Sequence, residues 1–175
     1  MPVIMAVLLV NVPRGHVPAD PVDGYATISI PVPPAVPLPT LSEAVETSAL
    51  PARNTREMEC LARTVYFEAR GDGLEGQLAV ARTVINRTRS DLFPDSICGV
   101  VRQRSQFSFV RDRVIPEVDR KTPAWRKAVA IATLARKGWP SRAGAALFFH
   151  APSVSPDWRW KRPSLGRIGA HLFYS

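Results

Sequence analysis

The chain contains few of the residues that build metal centres, and none of them is arranged in a ligating pattern. Its only two cysteines, Cys60 and Cys98, have no ligand-type partner at close spacing. The three histidines, His16, His150 and His171, form no zinc-type motif. We therefore expect neither a metal nor a cofactor.

Long hydrophobic runs are also missing. The longest apolar stretch, residues 3–10, has eight residues, whereas a membrane-spanning helix needs about 20. We expect no stable membrane span. The length of the run suits the apolar core of a secretory signal, although no Lys or Arg precedes it. Together with the motifs below, this favours export to the periplasm or cell envelope, with a leader that is incomplete or a start site placed too late.

Motifs for nucleic-acid binding are absent despite a strong positive charge. Residues 1–52 carry one basic and four acidic residues, while residues 53–175 carry 22 basic and 11 acidic residues, a net charge of +11. Such a domain attracts polyanions, among them nucleic acid, anionic lipid and the carboxylate-rich bacterial wall. Because no zinc-finger spacing, recognition helix or RNA-binding aromatic motif accompanies the charge, we expect no nucleic-acid partner. A cytosolic nucleic-acid binder remains the alternative.

Proline is concentrated at one end of the chain. Ten of the 17 prolines lie at or before Pro51, in a stretch without helical or alternating apolar periodicity. This composition predicts a disordered linker over residues 1–52, dispensable for chemistry, and one domain over residues 53–175.

Hydrophobic periodicity predicts two consecutive helices at the start of that domain. The first is capped by Asn54 with Glu57 and ends at Gly71. The second is capped by Asp72 with Glu75 and continues to residue 88. We thus expect a tight corner between two helices.

The rest of the domain predicts helices and then strands. A short apolar piece, 97–101, precedes an arginine-rich loop that runs to residue 120, and a third long helix starts at Thr122 and stops at Gly138. The pattern of residues 145–150 and 168–174 predicts two strands. The predicted class is therefore α+β, mostly helical, with a small C-terminal antiparallel β element.

Several motifs in this domain occur in an order that resembles one known family. They are segments 61–72 (LARTVYFEARGD), 74–81 (LEGQLAVA), 84–87 (VINR), 97–101 (ICGVV), 106–108 (QFS), 148–150 (FFH), 156–158 (PDW) and 168–174 (IGAHLFY). The domain resembles the SleB/CwlJ-type cell wall hydrolases, which include spore-cortex-lytic enzymes. Asp72 and Phe109 depart from the commoner pattern, in which Glu and Trp are expected.

The resemblance implies a lysozyme-like, lytic transglycosylase-like fold in which Glu68 cleaves the glycan of peptidoglycan between N-acetylmuramic acid and N-acetylglucosamine. Physical chemistry favours this position. Glu68 lies at the edge of an apolar stripe in the last turn of its helix. Partial burial and the negative end of the helix dipole both favour the protonated acid, and Arg70 would oppose them if its side chain turned back.

Further residues are candidates for substrate binding. Amide, aromatic and hydroxyl groups suit N-acetyl sugars, and aromatic rings stack on sugar rings. We expect Asp72 and Glu75 to act as helix caps and His171 to be structural. The candidates for sugar contact are Tyr66, Gln106, Phe107, Ser108, His150 and Trp158.

The mechanism has alternatives at this stage. Hydrolysis normally requires a second carboxylate, and no convincing partner stands out. The resemblance implies lytic transglycosylation, in which the muramic acid 6-hydroxyl attacks and leaves a 1,6-anhydro end. A two-carboxylate muramidase and a non-catalytic peptidoglycan-binding module are the alternatives.

The state of the two cysteines depends on the cellular compartment of the protein. In an exported protein, Cys60 and Cys98 would form one disulfide, and in a cytosolic protein they would be buried thiols. We expect the disulfide. The sequence leaves the oligomeric state and protein partners open.

Overall fold

Five α-helices and three short β-strands follow one another along residues 37–175, the part of the chain that the computed structural model describes. In chain order they are α1 (Leu41–Thr47), α2 (Arg56–Ala69), α3 (Leu74–Arg87), α4 (Ile97–Val101), α5 (Pro123–Arg136), β1 (Phe148–His150), β2 (Ser164–Ile168) and β3 (His171–Tyr174), with a 3₁₀ turn at Asp157–Lys161 before β2. The predicted α+β class is confirmed. The apolar run 3–10 lies outside the described residues.

Helices α2 and α3 begin one residue later than the capping patterns predict. Thr55, not Asn54, caps α2 by accepting a hydrogen bond from the Met58 amide at 3.2 Å. The N-cap of α3 is Gly73, which has no side chain to offer, so the prediction that Asp72 caps this helix is wrong. Thr122 caps α5 and is followed directly by Pro123, as predicted.

Helix α1 corrects the predicted domain boundary. A capping box between Thr40 and Glu43 starts it. Ala44 is buried, and the half-buried side chains of Leu41 and Val45 pack against the main core. The packed unit therefore begins at Pro37, within the stretch that composition assigns to a linker.

We expect α1 to contribute to stability. A chain beginning at Arg53 should lose about 2 to 3 kcal/mol of unfolding free energy relative to one beginning at Pro37, because the apolar face of α1 no longer covers the core. Urea unfolding of both chains measures the difference. In a matched pair of point variants, Leu41→Ser should lower the midpoint and Leu38→Ser should not, because Leu38 is 91% exposed. If the two chains are equally stable, α1 does not contribute to the domain, and the domain boundary lies at residue 53 as the composition predicts.

The sheet has three strands where the sequence predicted two. Strand β3 lies in the middle and pairs antiparallel with β1 and β2. The predicted strand 168–174 is in fact the end of β2, a tight turn and β3, because Gly169 adopts φ +59° and reverses the chain. The first four residues of β2 are exposed, so they carry no alternating apolar signal.

Two hydrophobic clusters hold the fold together. The larger one lies between α2, α3, α4 and α5 and contains Leu61, Leu78 and Ile131, which are fully buried. The smaller one docks the sheet on the helices through Phe173 and includes Ala69. The sheet thus packs against the helix end that carries Glu68. No helix of the described residues is long and apolar enough to cross a bilayer.

A disulfide joins Cys60 of α2 to Cys98 of α4, which are 38 residues apart in the chain. Both cysteines are buried in the larger cluster. A side-chain hydrogen bond reinforces the junction, since the Glu57 carboxylate accepts from the Cys98 amide at 3.1 Å. The short helix α4 is therefore attached to the first turns of α2.

Candidate active site

Glu68 lies in the last turn of α2, half-buried. Burial raises the pKa of its carboxyl group above the ordinary value of 4.5, because a carboxylate loses hydration there. The unpaired carbonyls at the helix end act in the same direction. The site therefore favours a carboxylic acid that holds its proton to higher pH than a surface glutamate does.

Arg87 is the cation that opposes this effect. It is the last residue of α3 and is only 4% exposed. Its Nε donates to the Leu147 carbonyl at 2.7 Å, and its guanidinium carbon lies 4.9 to 5.8 Å from the centroids of three rings, those of Phe93, Phe107 and Phe149. Its Nη1 is buried and has no hydrogen-bond partner among the described residues.

Glu68 and Arg87 form an electrostatically coupled pair. Burial lowers the pKa of the Arg87 guanidinium to about 10, and the Glu68 charge limits this decrease. In return, the Arg87 charge limits the increase in the pKa of Glu68. Arg70, which would have opposed the shift if it turned back, is exposed and does not contribute to it, and its guanidinium lies 4.8 Å from the centroid of the Tyr66 ring.

The raised pKa of Glu68 has a consequence for stability. Glu68 binds its proton more tightly in the folded state than in the unfolded chain, so the wild type loses stability as the pH rises from about 4.5 through the folded-state pKa. Glu68→Gln removes this cost. We expect the variant to be more stable than wild type at pH 7 and equally stable below pH 4.5. Thermal unfolding at both pH values tests this, and a variant that is less stable at pH 7 would contradict it.

Aromatic side chains cover the end of α2. The Phe67 ring stacks on the Phe109 ring at 4.9 Å, and Phe107 lies behind Phe109 at 5.6 Å. Phe107 is only 4% exposed, so we correct its predicted sugar contact to a packing role. Tyr66 is half-buried and packs edge-on against Phe67 at 5.2 Å and against Trp125 at 6.2 Å.

Gln106 and Ser108 flank Phe107 in the same loop, and both are exposed. The stacking of Phe109 on Phe67 places this loop against the residue next to Glu68. Glu68 and Tyr66 are the chain neighbours of Phe67, and Gln106 and Ser108 are those of Phe107, so the Phe67–Phe109 stack connects the two segments. Their amide, hydroxyl and aromatic groups are available there for a polar, ring-shaped ligand.

Asp72 connects the helix corner to the sheet. Its Oδ2 accepts a hydrogen bond from the Ala170 amide at 2.9 Å, and its Oδ1 accepts from the Gly73 amide at 2.9 Å. His171 Nδ1 lies 3.6 Å from the same carboxylate, and burial lowers the pKa of His171. Asp72 is therefore a structural bridge.

Within residues 37–175 no second carboxylate supports Glu68. Arg87 is the only charge among the described residues that contributes to the pKa shift of Glu68. The Asp72 carboxylate is occupied by backbone donors, and Glu75 is exposed in the first turn of α3 without making a cap. A carboxylate at the spacing of a retaining glycosidase, about 5 Å, would raise the pKa of Glu68 strongly. The arrangement favours chemistry that uses one carboxyl group.

His150 and Trp158 lie on the other face of the sheet. Side chains alternate along β1, so Phe149 faces Phe107 and His171 while His150 points away from them. His150 is buried, with Nε2 3.1 Å from the Tyr174 hydroxyl, and Trp158 packs on the same group. His150 is buried and Trp158 is half-buried, and both pack on Tyr174 rather than on the rings next to Glu68; their contact with sugar stays a prediction.

Sequence reasoning missed Arg87 as a site residue. A usable signal existed, because Arg87 follows Val80 by seven residues and therefore lies about 20° from it on the buried face of the helix. An arginine that continues an apolar stripe needs a buried partner. The resemblance had included this residue only as part of a motif.

Comparison with known proteins identifies relatives of this domain. A sequence model of the family described as Cell Wall Hydrolase matches residues 71–174, a range that begins just after Glu68. The chain is 37% identical over 120 residues to the spore cortex-lytic enzyme of Bacillus subtilis (strain 168), covering 69% of this chain and 38% of that protein. It is 36% identical over 118 residues to the spore cortex-lytic enzyme of Oceanobacillus iheyensis, covering 67% and 41%. The chain thus spans less than half the length of these curated relatives.

Solved structures show the same similarity. The catalytic domain of the germination-specific lytic transglycosylase SleB from Bacillus anthracis aligns with a TM-score of 0.60 and 31% identity, over 72% of this chain and all of that one. The catalytic domain of the Bacillus cereus SleB protein aligns with a TM-score of 0.59 and 31% identity, over 72% and 95%. The likeness therefore extends over nearly the whole of these catalytic domains.

Proposed function

The chain belongs to the SleB/CwlJ-type cell wall hydrolase family, and from this membership we propose that it cleaves the glycan strands of peptidoglycan with Glu68 as the catalytic acid. The bond cut is the one between N-acetylmuramic acid and N-acetylglucosamine. The observation that carries the proposal is a half-buried glutamate with a raised pKa, coupled to the buried cation Arg87. A general acid needs this balance, because it must hold a proton and still release it.

We propose the lytic transglycosylase reaction, which needs one carboxyl group. Protonated Glu68 donates its proton to the glycosidic oxygen as the bond to C1 of muramic acid breaks. The Glu68 carboxylate, stabilised by the charge of Arg87, then accepts the proton of the muramic acid 6-hydroxyl as O6 bonds to C1. A 1,6-anhydro end forms, no water is consumed, and Glu68 regains its proton.

The proposed sugar-binding surface surrounds Glu68. Tyr66 and the half-buried Phe109 offer aromatic edges, while Gln106 and Ser108 offer hydrogen bonds to acetamido and hydroxyl groups. The alternative, a two-carboxylate hydrolase, would need Asp72 or Glu75 as a partner. The backbone contacts of Asp72 and the exposure of Glu75 count against both.

The reaction also implies a compartment. Peptidoglycan lies outside the cytoplasm, and a disulfide such as Cys60–Cys98 persists in oxidising environments. We therefore propose that the protein acts in the periplasm or cell envelope.

Mass analysis of soluble products tests the function. The full chain is incubated with purified peptidoglycan, and the masses of the released muropeptides are measured before and after borohydride reduction. Transglycosylation gives products lighter by one water that borohydride leaves unchanged. Reducing ends that take up hydride would establish hydrolysis instead. Binding to the wall without any release would support a non-catalytic binding module.

A further inference from the structure

Arginine side chains line a continuous depression beside the disulfide. Three adjoining cavities, of about 410, 380 and 460 Å³, share Arg102 and Arg113 as walls. Arg56 lines two of them and Arg104 lines one. We call the surface formed by Arg56, Arg102, Arg104 and Arg113 the arginine groove.

Among the described residues the four groove arginines form no ion pair, although Glu57, Glu59, Asp112 and Glu117 also line the three cavities. Of the nearby carboxylates, Glu59 pairs with Arg63 at 3.1 Å and with Arg120 at 2.7 Å, and Glu117 pairs with Arg63 at 2.8 Å. In the part of the chain that the structure describes, none of the four groove arginines has a carboxylate within 4.0 Å. The groove thus has four guanidinium groups without a close ion-pair partner in the described part of the chain.

Polar atoms within the groove also lack partners. Arg102 Nε and Gln103 Oε1 are buried and make no hydrogen bond with the described residues. Buried polar groups in proteins normally have a partner, which water or a ligand with both an acceptor and a donor can supply. A carboxylate satisfies the guanidinium in bidentate geometry, and an adjacent amide N–H satisfies the carbonyl oxygen. A peptide that carries carboxylates provides both groups.

A tight turn fixes one wall of the groove. Arg111 and Val114 exchange backbone hydrogen bonds of 3.2 and 2.7 Å, with Asp112 and Arg113 between them at φ +48° and +63°. These angles are those of a two-residue type I′ hairpin turn. The turn holds the backbone of Arg113 at the groove in one conformation.

The groove borders the first half of α2, and at one end it reaches the loop that packs on Phe67. Val110 lines its first cavity, and the neighbouring Phe109 stacks on Phe67, next to Glu68. Its far end is Arg56, the first residue of α2, which lies 12 residues before Glu68 and hence roughly 18 Å away along the helix. An extended peptide of four or five residues reaches roughly 13 to 18 Å. The stem peptide on muramic acid has this length and carries free carboxylates.

We propose that the arginine groove binds the carboxylates of the peptidoglycan stem peptide while the glycan lies at Glu68. The inference rests on the proposed function for the identity of the polymer. The groove would make the enzyme selective for glycan strands that carry stem peptides. Nucleic acid and phosphate-rich wall polymers are the other polyanions that such a groove could take, and the experiment separates them.

The first experiment uses kinetics with the full chain. Arg102→Gln combined with Arg113→Gln should raise KM about tenfold for peptide-bearing strands and leave KM unchanged for strands stripped by an amidase. The matched control, Arg136→Gln with Arg142→Gln, removes two exposed charges elsewhere and should change neither. If the double variant folds poorly, Arg113→Gln alone replaces it. Arg113 is exposed, and this variant should show part of the increase in KM for peptide-bearing strands. Equal losses on both substrates would overturn the proposal.

The second experiment measures binding without cleavage. The soluble acidic stem tetrapeptide is titrated into wild type and into both double variants by calorimetry. Binding to wild type and to the control, with about tenfold weaker binding to the groove variant, supports the site. This result would stand even if no glycan cleavage were found, so failure of the proposed function is distinguishable. If inorganic phosphate or single-stranded DNA binds the groove and the tetrapeptide does not, the proposal is wrong.

Discussion

Glu68→Gln is expected to reduce glycan cleavage by about 10²- to 10⁴-fold, because it removes the one group that supplies and recovers the proton. The amide keeps the size and hydrogen-bonding capacity of the acid, so binding to the wall should be retained. The packing around α2 should also be unchanged, since Glu68 makes no side-chain hydrogen bond within the described residues. Release of soluble muropeptides from purified peptidoglycan measures the loss.

The matched control is Glu75→Gln, the same substitution at an exposed position of α3. It should retain activity within a factor of two or so, since surface substitutions of this kind have small effects. Full activity of Glu68→Gln would refute the assignment of the acid. An inactive Glu75→Gln, together with reducing-end products, would reveal a two-carboxylate hydrolase.

Replacing both Cys60 and Cys98 with alanine is expected to cost about 4 kcal/mol of unfolding free energy. The crosslink closes a loop over a sequence separation of 38 residues, and the unfolded chain without it gains the corresponding entropy. Denaturant unfolding of the oxidised wild type and of the double variant gives the difference. Most of the lost unfolding free energy should come from the higher entropy of the unfolded chain. The folded state should change little, because the Glu57 carboxylate also holds α4 to α2.

Reduction of the wild type provides the control for lost side-chain volume. Wild type in reductant keeps both sulfur atoms, so its loss reports the crosslink alone, and the alanine variant adds the cost of the small cavities. Mass measurement with and without reductant should show one bond in protein recovered from the envelope. Two free thiols in that material would contradict both the bond and the proposed compartment.

Local sequence signals predicted the long helices well. The apolar faces of α2, α3 and α5 repeat at helical spacing over 14 residues each, and Pro123 and Gly138 mark the two ends of α5. The position of Glu68 in the last turn of α2 followed from the same periodicity. Its burial could be anticipated because the residue lies at the edge of the apolar stripe.

Features that depend on distant contacts could not be predicted in this way. Helix α1 has only seven residues, and its packing on α5 compensates for a length at which isolated helices are not stable. Most of β2 is exposed, so it lacks the alternation by which strands are recognised. Asp72 precedes a helix at a position typical of a cap, yet its carboxylate binds the Ala170 amide instead.

The Asp72–Ala170 hydrogen bond joins residues that are 98 positions apart. Gly169 must be a glycine there, since a Cβ would overlap the Asp72 carboxylate and the backbone adopts φ +59°. During synthesis, α2 and its corner emerge long before the hairpin that completes them. A nascent chain on the ribosome, or one cut before Ala170, lacks the contact that anchors the segment just after Glu68. Ordering of the corner just after Glu68 therefore requires the β2–β3 hairpin, which is synthesised 98 residues after Asp72.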